Sequence, residues 1–234
     1  MVKPLLVFDL DGTLAETAGD LIAALNHVLA LEGVTPVAVA QARFMLGAGG
    51  RALIQRGLAG AGRSATPARL EELFEAFLAY YNAHISIHSH LFDGAATALD
   101  RFATAGWRFA VCTNKMELSS VTLLKALGVA GRFAAICGQD SFPVCKPDPG
   151  ALLGTIKMAG GDPASSIMVG DSQTDIATAI AARIPCVAVD FGYTDTHVSA
   201  FGPDRVISHF SELWGAVASL RPMQAAGRSG AAGA

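Results

Sequence analysis

The apolar run Leu5-Leu6-Val7-Phe8 ends abruptly in Asp9-Leu10-Asp11-Gly12-Thr13, and this junction constrains the chain more than any other stretch. Four consecutive apolar residues read as a short buried strand. Side chains alternate along extended backbone, so Asp9 and Asp11 lean the same way. Two carboxylates that close repel, and the arrangement calls for a cation or a shared proton. Gly12 lets the backbone turn sharply or approach a ligand. Taken alone, the stretch also fits a strand ending in a polar turn, because Asp and Gly favour turns. Polar residues further along the chain decide between the two.

With 52% hydrophobic and 16% charged residues in 234, the chain has the composition of one or two globular domains and not of a disordered segment. The net charge is −3, and no Lys/Arg-rich run gives nucleic acid an electrostatic footprint. No apolar stretch is long enough to span a membrane. Lys3 is followed by a short apolar run that meets Asp9 at once, which does not read as a signal peptide. Cys112, Cys137, Cys145 and Cys186 form no CxxC pair. They read as buried reduced thiols of a cytoplasmic protein, with Cys145 open to being exposed and reactive.

Residues 15–90 read as almost pure helix. Thr17-Ala18-Gly19-Asp20 looks like a capping-box variant, and Leu21, Leu25, Val28 and Leu29 come next at helical spacing until Gly33. Thr35-Pro36 suggests a second start. Gly47-Ala48-Gly49-Gly50 is a break before a helix over 51–58, and Thr66-Pro67 opens a long helix with an N-cap and a Pro at its first position. Leu70, Leu73, Phe74, Phe77 and Tyr81 share one face of it and read as core rather than as a ligand box.

From Leu91 onward strands and helices alternate, with strands over 107–113, 133–137, 167–169 and 186–189 and a last short one at 206–207. Alternation of this kind predicts an α/β fold, a parallel sheet with helices on both faces. The first strand belongs to that sheet, so the expected organisation is a core of residues 1–14 and 91–221 with a helical cap, 15–90, inserted after the first strand. Residues 222–234 read as a disordered tail. Ligands of open α/β sheets bind beyond the carboxyl ends of the strands, and the cap would roof that crevice.

Three further polar groups fall at or after strand ends: Thr113-Asn114, Lys146-Pro147, and Gly170-Asp171-Ser172-Gln173-Thr174-Asp175. If they converge with Asp9 and Asp11, the mixture suits one task. Carboxylates collect a hard divalent cation, Mg²⁺ being the usual choice beside phosphate. Thr, Asn and Lys neutralise and orient phosphoryl oxygens. One carboxylate remains to attack phosphorus.

The stretches DLDGT, TN, KPDP and GDSQTD, in that order and spacing, resemble the four motifs of the haloacid-dehalogenase superfamily of phosphohydrolases. The resemblance covers about residues 5–215. It implies a Rossmann-like core and a helical C1-type cap. It implies Asp9 as nucleophile through a phosphoaspartyl intermediate and Asp11 as general acid and base. Thr113, Asn114 and Lys146 would hold the phosphoryl group. Mg²⁺ would sit on the Asp9 carboxylate, the Asp11 backbone carbonyl and Asp171, with Asp175 binding it or orienting its waters. Within the superfamily, DLDGTLAETAGDLIAALN, FMLGAGGRALI, VCTNK and VAVDFGY are most similar to the bacterial phosphoglycolate phosphatases. Glu16-Thr17 stands where Asp-Ser is commoner, and Met116 where a Pro often follows Asn-Lys.

A small phosphorylated metabolite is thus the expected partner, with 2-phosphoglycolate the specific expectation; monomer and homodimer both stay open. Gly49, Gly50 and Arg51 are the cap residues expected to meet a substrate carboxylate, because backbone N–H groups at a helix start hold anions; an ordinary interhelix turn with a solvated Arg51 is the plainer reading. Lys115 faces either substrate or solvent. His84, His88 and His90 suggest a polar hinge more than a transition-metal site. Two rivals remain: a sugar phosphomutase or other sugar-phosphate phosphatase on the same fold, and a catalytically silent phosphate-binding regulator. The presence of Asp9, Asp11 and Lys146 together argues against the second.

Overall fold

A computed structural model describes residues 3–47 and 49–220; the tail expected at 222–234 lies outside them. In chain order the elements are β1 (Leu5–Phe8), β2 (Ala15–Glu16), α1 (Ala18–Leu31), α2 (Val39–Ala42), α3 (Gly50–Gly60), α4 (Pro67–Ala83), β3 (His90–Leu91), α5 (Ala95–Thr104), β4 (Arg108–Cys112), α6 (Glu117–Ala126), β5 (Phe133–Cys137), α7 (Pro149–Met158), β6 (Ser166–Gly170), α8 (Gln173–Ala182), β7 (Cys186–Val189), β8 (Arg205–Ile207) and α9 (Leu213–Leu220). Short 3₁₀ turns join several of them. No described helix is long and apolar enough to cross a membrane.

The expected parallel α/β sheet is present. Six strands lie in the order β5-β4-β1-β6-β7-β8, every neighbouring pair parallel. Their side chains divide by parity between two cores. Leu6, Phe8, Phe109, Val111, Ile167 and Val169 face one; Leu5, Val7, Ala110, Cys112 and Met168 face the other. A strand covered on both faces has no polar side, which is why β1 reads as an unbroken apolar run. The strand order reverses beside β1, so the crevice outside its carboxyl end is the switch point where α/β sheets bind ligands.

Between β1 and β4 the chain makes α1–α4, which pack on one another. It leaves and returns through a two-stranded antiparallel ribbon, Ala15 opposite Leu91 and Glu16 opposite His90. Thr66 caps α4 as expected, accepting from the Arg69 N–H at 3.2 Å, with Pro67 at the first position.

Two local expectations fail. Thr17 does not cap α1 with its side chain. Its partner in the expected box, Asp20, is buried and accepts from the His88 N–H, the Ser89 N–H and the Ser89 hydroxyl (3.0, 2.9 and 2.6 Å). The returning linker outcompetes the local cap. Nor does Pro36 start a helix: Asn26 holds both backbone polar groups of Val37 (2.8 and 2.9 Å), which keeps that stretch out of helix until Val39.

Candidate active site

β1 delivers Asp9 to the crevice, its N–H continuing the ladder to Val169 O at 2.8 Å. Gly12 then turns the chain at φ +83, a left-handed conformation that suits glycine. It is also a close approach, because a Cβ there would lie 2.5 Å from Asp171 Oδ2. Thr113 closes β4, Asp171 follows β6, and Lys146 comes from the loop before α7. Four sequence-distant stretches thereby meet at one edge of the sheet. Both Asp9 and Asp11 line the crevice, but each has its own counter-charge.

One carboxylate oxygen from each of Asp9, Asp171 and Asp175 lies within 4.8 Å of the others, and all three residues are buried. Among the described residues this is the group spaced to hold a metal ion. Asp171 accepts from the Thr13 hydroxyl and the Tyr193 N–H, both at 2.9 Å. Asp175 accepts from Lys146 Nζ at 2.5 Å on one oxygen, and from the Ser172 hydroxyl (2.5 Å) and N–H (3.1 Å) on the other. Asp9 Oδ1 lies 2.8 Å from Lys146 Nζ yet is buried without an aligned hydrogen bond.

Burial pushes the Asp9 carboxyl up to about 6; Lys146 pulls it down, and Asp175 and Asp11 push it up further. Burial, then Asp175 and Asp9, hold Asp171 well above the usual carboxylate range. Lys146 would be lowered by its own burial, but Asp175 and Asp9 outweigh that and keep it charged. Three buried carboxylates stand beside one lysine, which meets only Asp9 and Asp175, so a hard divalent cation fits the remaining charge.

Thr113 is buried, its N–H bonded to Cys137 O at 3.0 Å. Asn114 donates to Lys146 O at 3.0 Å, which leaves its own Oδ1 buried and unpartnered. Thr113, Asn114 and Lys146 all line the crevice.

Asp11 belongs to a different set, and its side chain is not part of the acid trio. Lys115 Nζ reaches its two oxygens at 2.8 and 3.0 Å, and the Thr17 hydroxyl donates to Oδ1 at 2.6 Å. Lys115 is thus turned into the site, with a side chain only 6% exposed. Thr17 is in turn met by Tyr193, whose hydroxyl accepts from the Thr17 N–H at 2.6 Å and donates to Glu16 at 2.8 Å. Tyr193 ends the VAVDFGY stretch quoted for the resemblance, but the sequence assigned it no role of its own.

Gly49 and Gly50 line the crevice as expected, but Arg51 does not. It makes a two-pronged bond to Glu71 (2.6 and 2.7 Å) over the Phe74 ring, on the outer side of its helix. Phe74, Phe77 and Tyr81 are buried core, as expected, and also form the crevice wall. The crevice holds about 60 Å³ of free volume, room for roughly four to six waters. The His84 ring bonds Tyr80 O and His90 bonds His88 O. Cys112, Cys137 and Cys186 are buried and Cys145 is exposed.

The sequence profile of the haloacid dehalogenase-like hydrolases matches residues 6–189. The chain belongs to this family. As a haloacid dehalogenase-like hydrolase, it is similar along nearly its whole length to bacterial enzymes named phosphoglycolate phosphatase. The Mesorhizobium japonicum protein is 51% identical over 91% of this chain and 94% of its own. The Agrobacterium fabrum protein is 43% identical over 91% of each. Among solved structures, a predicted phosphoglycolate phosphatase from Haemophilus somnus superposes with a TM-score of 0.85 at 26% identity, covering 92% of this hydrolase and 98% of that chain. CbbY from Rhodobacter sphaeroides, in complex with phosphate, superposes with a TM-score of 0.77 at 26% identity over 91% and 96% of the two chains.

Proposed function

We propose that this hydrolase is a Mg²⁺-dependent phosphatase of a small phosphomonoester, 2-phosphoglycolate, acting through a phosphoaspartyl intermediate. The observation that carries the reading is the placement of Lys146 between Asp9 and Asp175, with Asp9 Oδ1 buried beside the ammonium and without an aligned hydrogen bond. A carboxylate attacks a phosphate dianion only when positive charge is already in place. Lys146 supplies part of it, and Thr113 and Asn114 add donors for the phosphoryl oxygens. Mg²⁺ held by Asp9, the Asp11 carbonyl and Asp171, with Asp175 completing the trio, would cancel the rest of the charge.

Asp9 forms the bond to phosphorus as the ester oxygen leaves. Asp11 gives that oxygen its proton and then takes one from the water that hydrolyses the acyl phosphate. Lys115 and Thr17 hold the Asp11 carboxylate in place between the two steps. Residues 15–90 act as a cap hinged at the β2–β3 ribbon, and the small crevice under it suits a small ester. The identity to enzymes named phosphoglycolate phosphatase supports the substrate.

A sugar-phosphate phosphatase is the second reading, favoured by one neighbour: a CbbY variant, 25% identical, was solved with xylulose-1,5-bisphosphate. Phosphate release from a panel of esters, with Mg²⁺ and with EDTA, separates the two. A clear kcat/KM preference for 2-phosphoglycolate supports the first reading, and a preference for sugar phosphates replaces it. Asp9→Asn should abolish release; retained turnover would remove Asp9 as nucleophile.

A further inference from the structure

If the substrate is the carboxylated phosphomonoester of the proposed function, a second anionic group must be held in the crevice. Arg51, the sequence's candidate, is committed to Glu71 outside it. The cations that line the crevice are Lys146 and Lys115, and Lys146 is committed to the acid trio. We infer that Lys115 and the Tyr81 hydroxyl form the subsite for the substrate carboxylate.

Three observations carry this. The Tyr81 hydroxyl is buried, belongs to a residue that lines the crevice, and has no hydrogen-bond partner. Tyr81 is 1% exposed, and an orphaned hydroxyl in such a place costs stability unless a ligand satisfies it. Lys115 Nζ stands 4.4 Å from the centre of the same ring, so one anion can meet ammonium and phenol together. Burial pushes the phenol up to about 12, with Lys115 lowering it and Asp11 raising it again, so it remains a donor at neutral pH.

Lys115 is shared with Asp11. Asp11 takes two of the three N–H donors of the ammonium, and the third is left for the substrate's carboxylate. The same lysine thereby touches both Asp11 and the far end of the substrate. Tyr81 comes from α4, so the subsite is complete only with the helical unit seated on the core.

The test compares 2-phosphoglycolate with ethyl phosphate, an ester of the same length without the carboxylate. The readout is the ratio of their kcat/KM values in wild type, Tyr81→Phe and Lys115→Met. Tyr81→Phe removes one oxygen and keeps the ring stack with Phe77 (6.2 Å). The ratio should fall about tenfold or more in Tyr81→Phe, mainly through KM for 2-phosphoglycolate, as expected for losing a hydrogen bond to a charged group. It should fall in Lys115→Met as well, on top of a common loss for both esters from the loosened Asp11. A wild-type ratio well above one that both variants keep would overturn the subsite and leave the substrate reading standing. A wild-type ratio near one would overturn both.

Discussion

The backbone N–H of Tyr193 donates to Asp171 Oδ2 at 2.9 Å, while the tyrosine hydroxyl accepts from the Thr17 N–H at the foot of α1. One residue therefore ties a member of the acid trio to the linker of the helical unit. Tyr193→Phe leaves the backbone bond and removes the hydroxyl, orphaning the buried Thr17 N–H. Stability should fall by about 1–3 kcal/mol, read from the urea midpoint. An unchanged midpoint would mean that water or Glu16 takes over the contact.

Asp20 is buried and accepts three donors from residues 88 and 89. Asp20→Ala leaves them unpaired where the chain returns to the core, and the expected loss is about 2–4 kcal/mol. Urea unfolding checks it; a loss under about 0.5 kcal/mol would reduce Asp20 to a surface-like role.

Gly12 combines a positive φ with the approach to Asp171. In Gly12→Ala the Cβ must displace the carboxylate, and a misplaced catalytic group costs on the order of a hundredfold in rate. Phosphate release should fall by at least that much, with far-UV circular dichroism unchanged. Near-normal release would show that the loop shifts without moving Asp171.

The crowding of Asp9, Asp171 and Asp175 should make stability depend on pH and, with the proposed metal, on cations. The folded pKa of Asp9 is raised from 3.8 to about 6, so the folded state holds its proton more tightly than the unfolded chain. In EDTA this part of the stability is present at pH below about 4 and is lost as pH rises through about 6. The proposed Mg²⁺ would bind the ionised form, so at pH 7 it should raise Tm, as differential scanning fluorimetry would record. Identical Tm with and without Mg²⁺ would argue against the trio as a metal site.

Arg51 and Glu71 are both exposed and outside the crevice. Arg51→Ala should leave KM for 2-phosphoglycolate within about twofold, since exposed ion pairs contribute little. A tenfold rise would return Arg51 to the substrate and displace the Lys115–Tyr81 subsite.

Much of this molecule was readable from the chain alone, and for a local reason. β1, the Thr66-Pro67 helix start and the strand–helix alternation depend on periodicity and on hydrogen bonds within a few residues. The positions of Asp9, Thr113 and Asp171 derive from those elements, because each sits where a strand stops. The tertiary structure decided the choices that depend on distant partners. Asp20 was free to cap its own helix until Ser89 came within reach. Lys115 was free to face solvent until the packing of β4 against β1 set it beside Asp11. Arg51 was free to meet a substrate until the packing of α3, set by burial of Leu53 and Ile54, turned it outward onto Glu71. Charge and hydrogen-bonding capacity are properties of the residue; what satisfies them is a property of the fold.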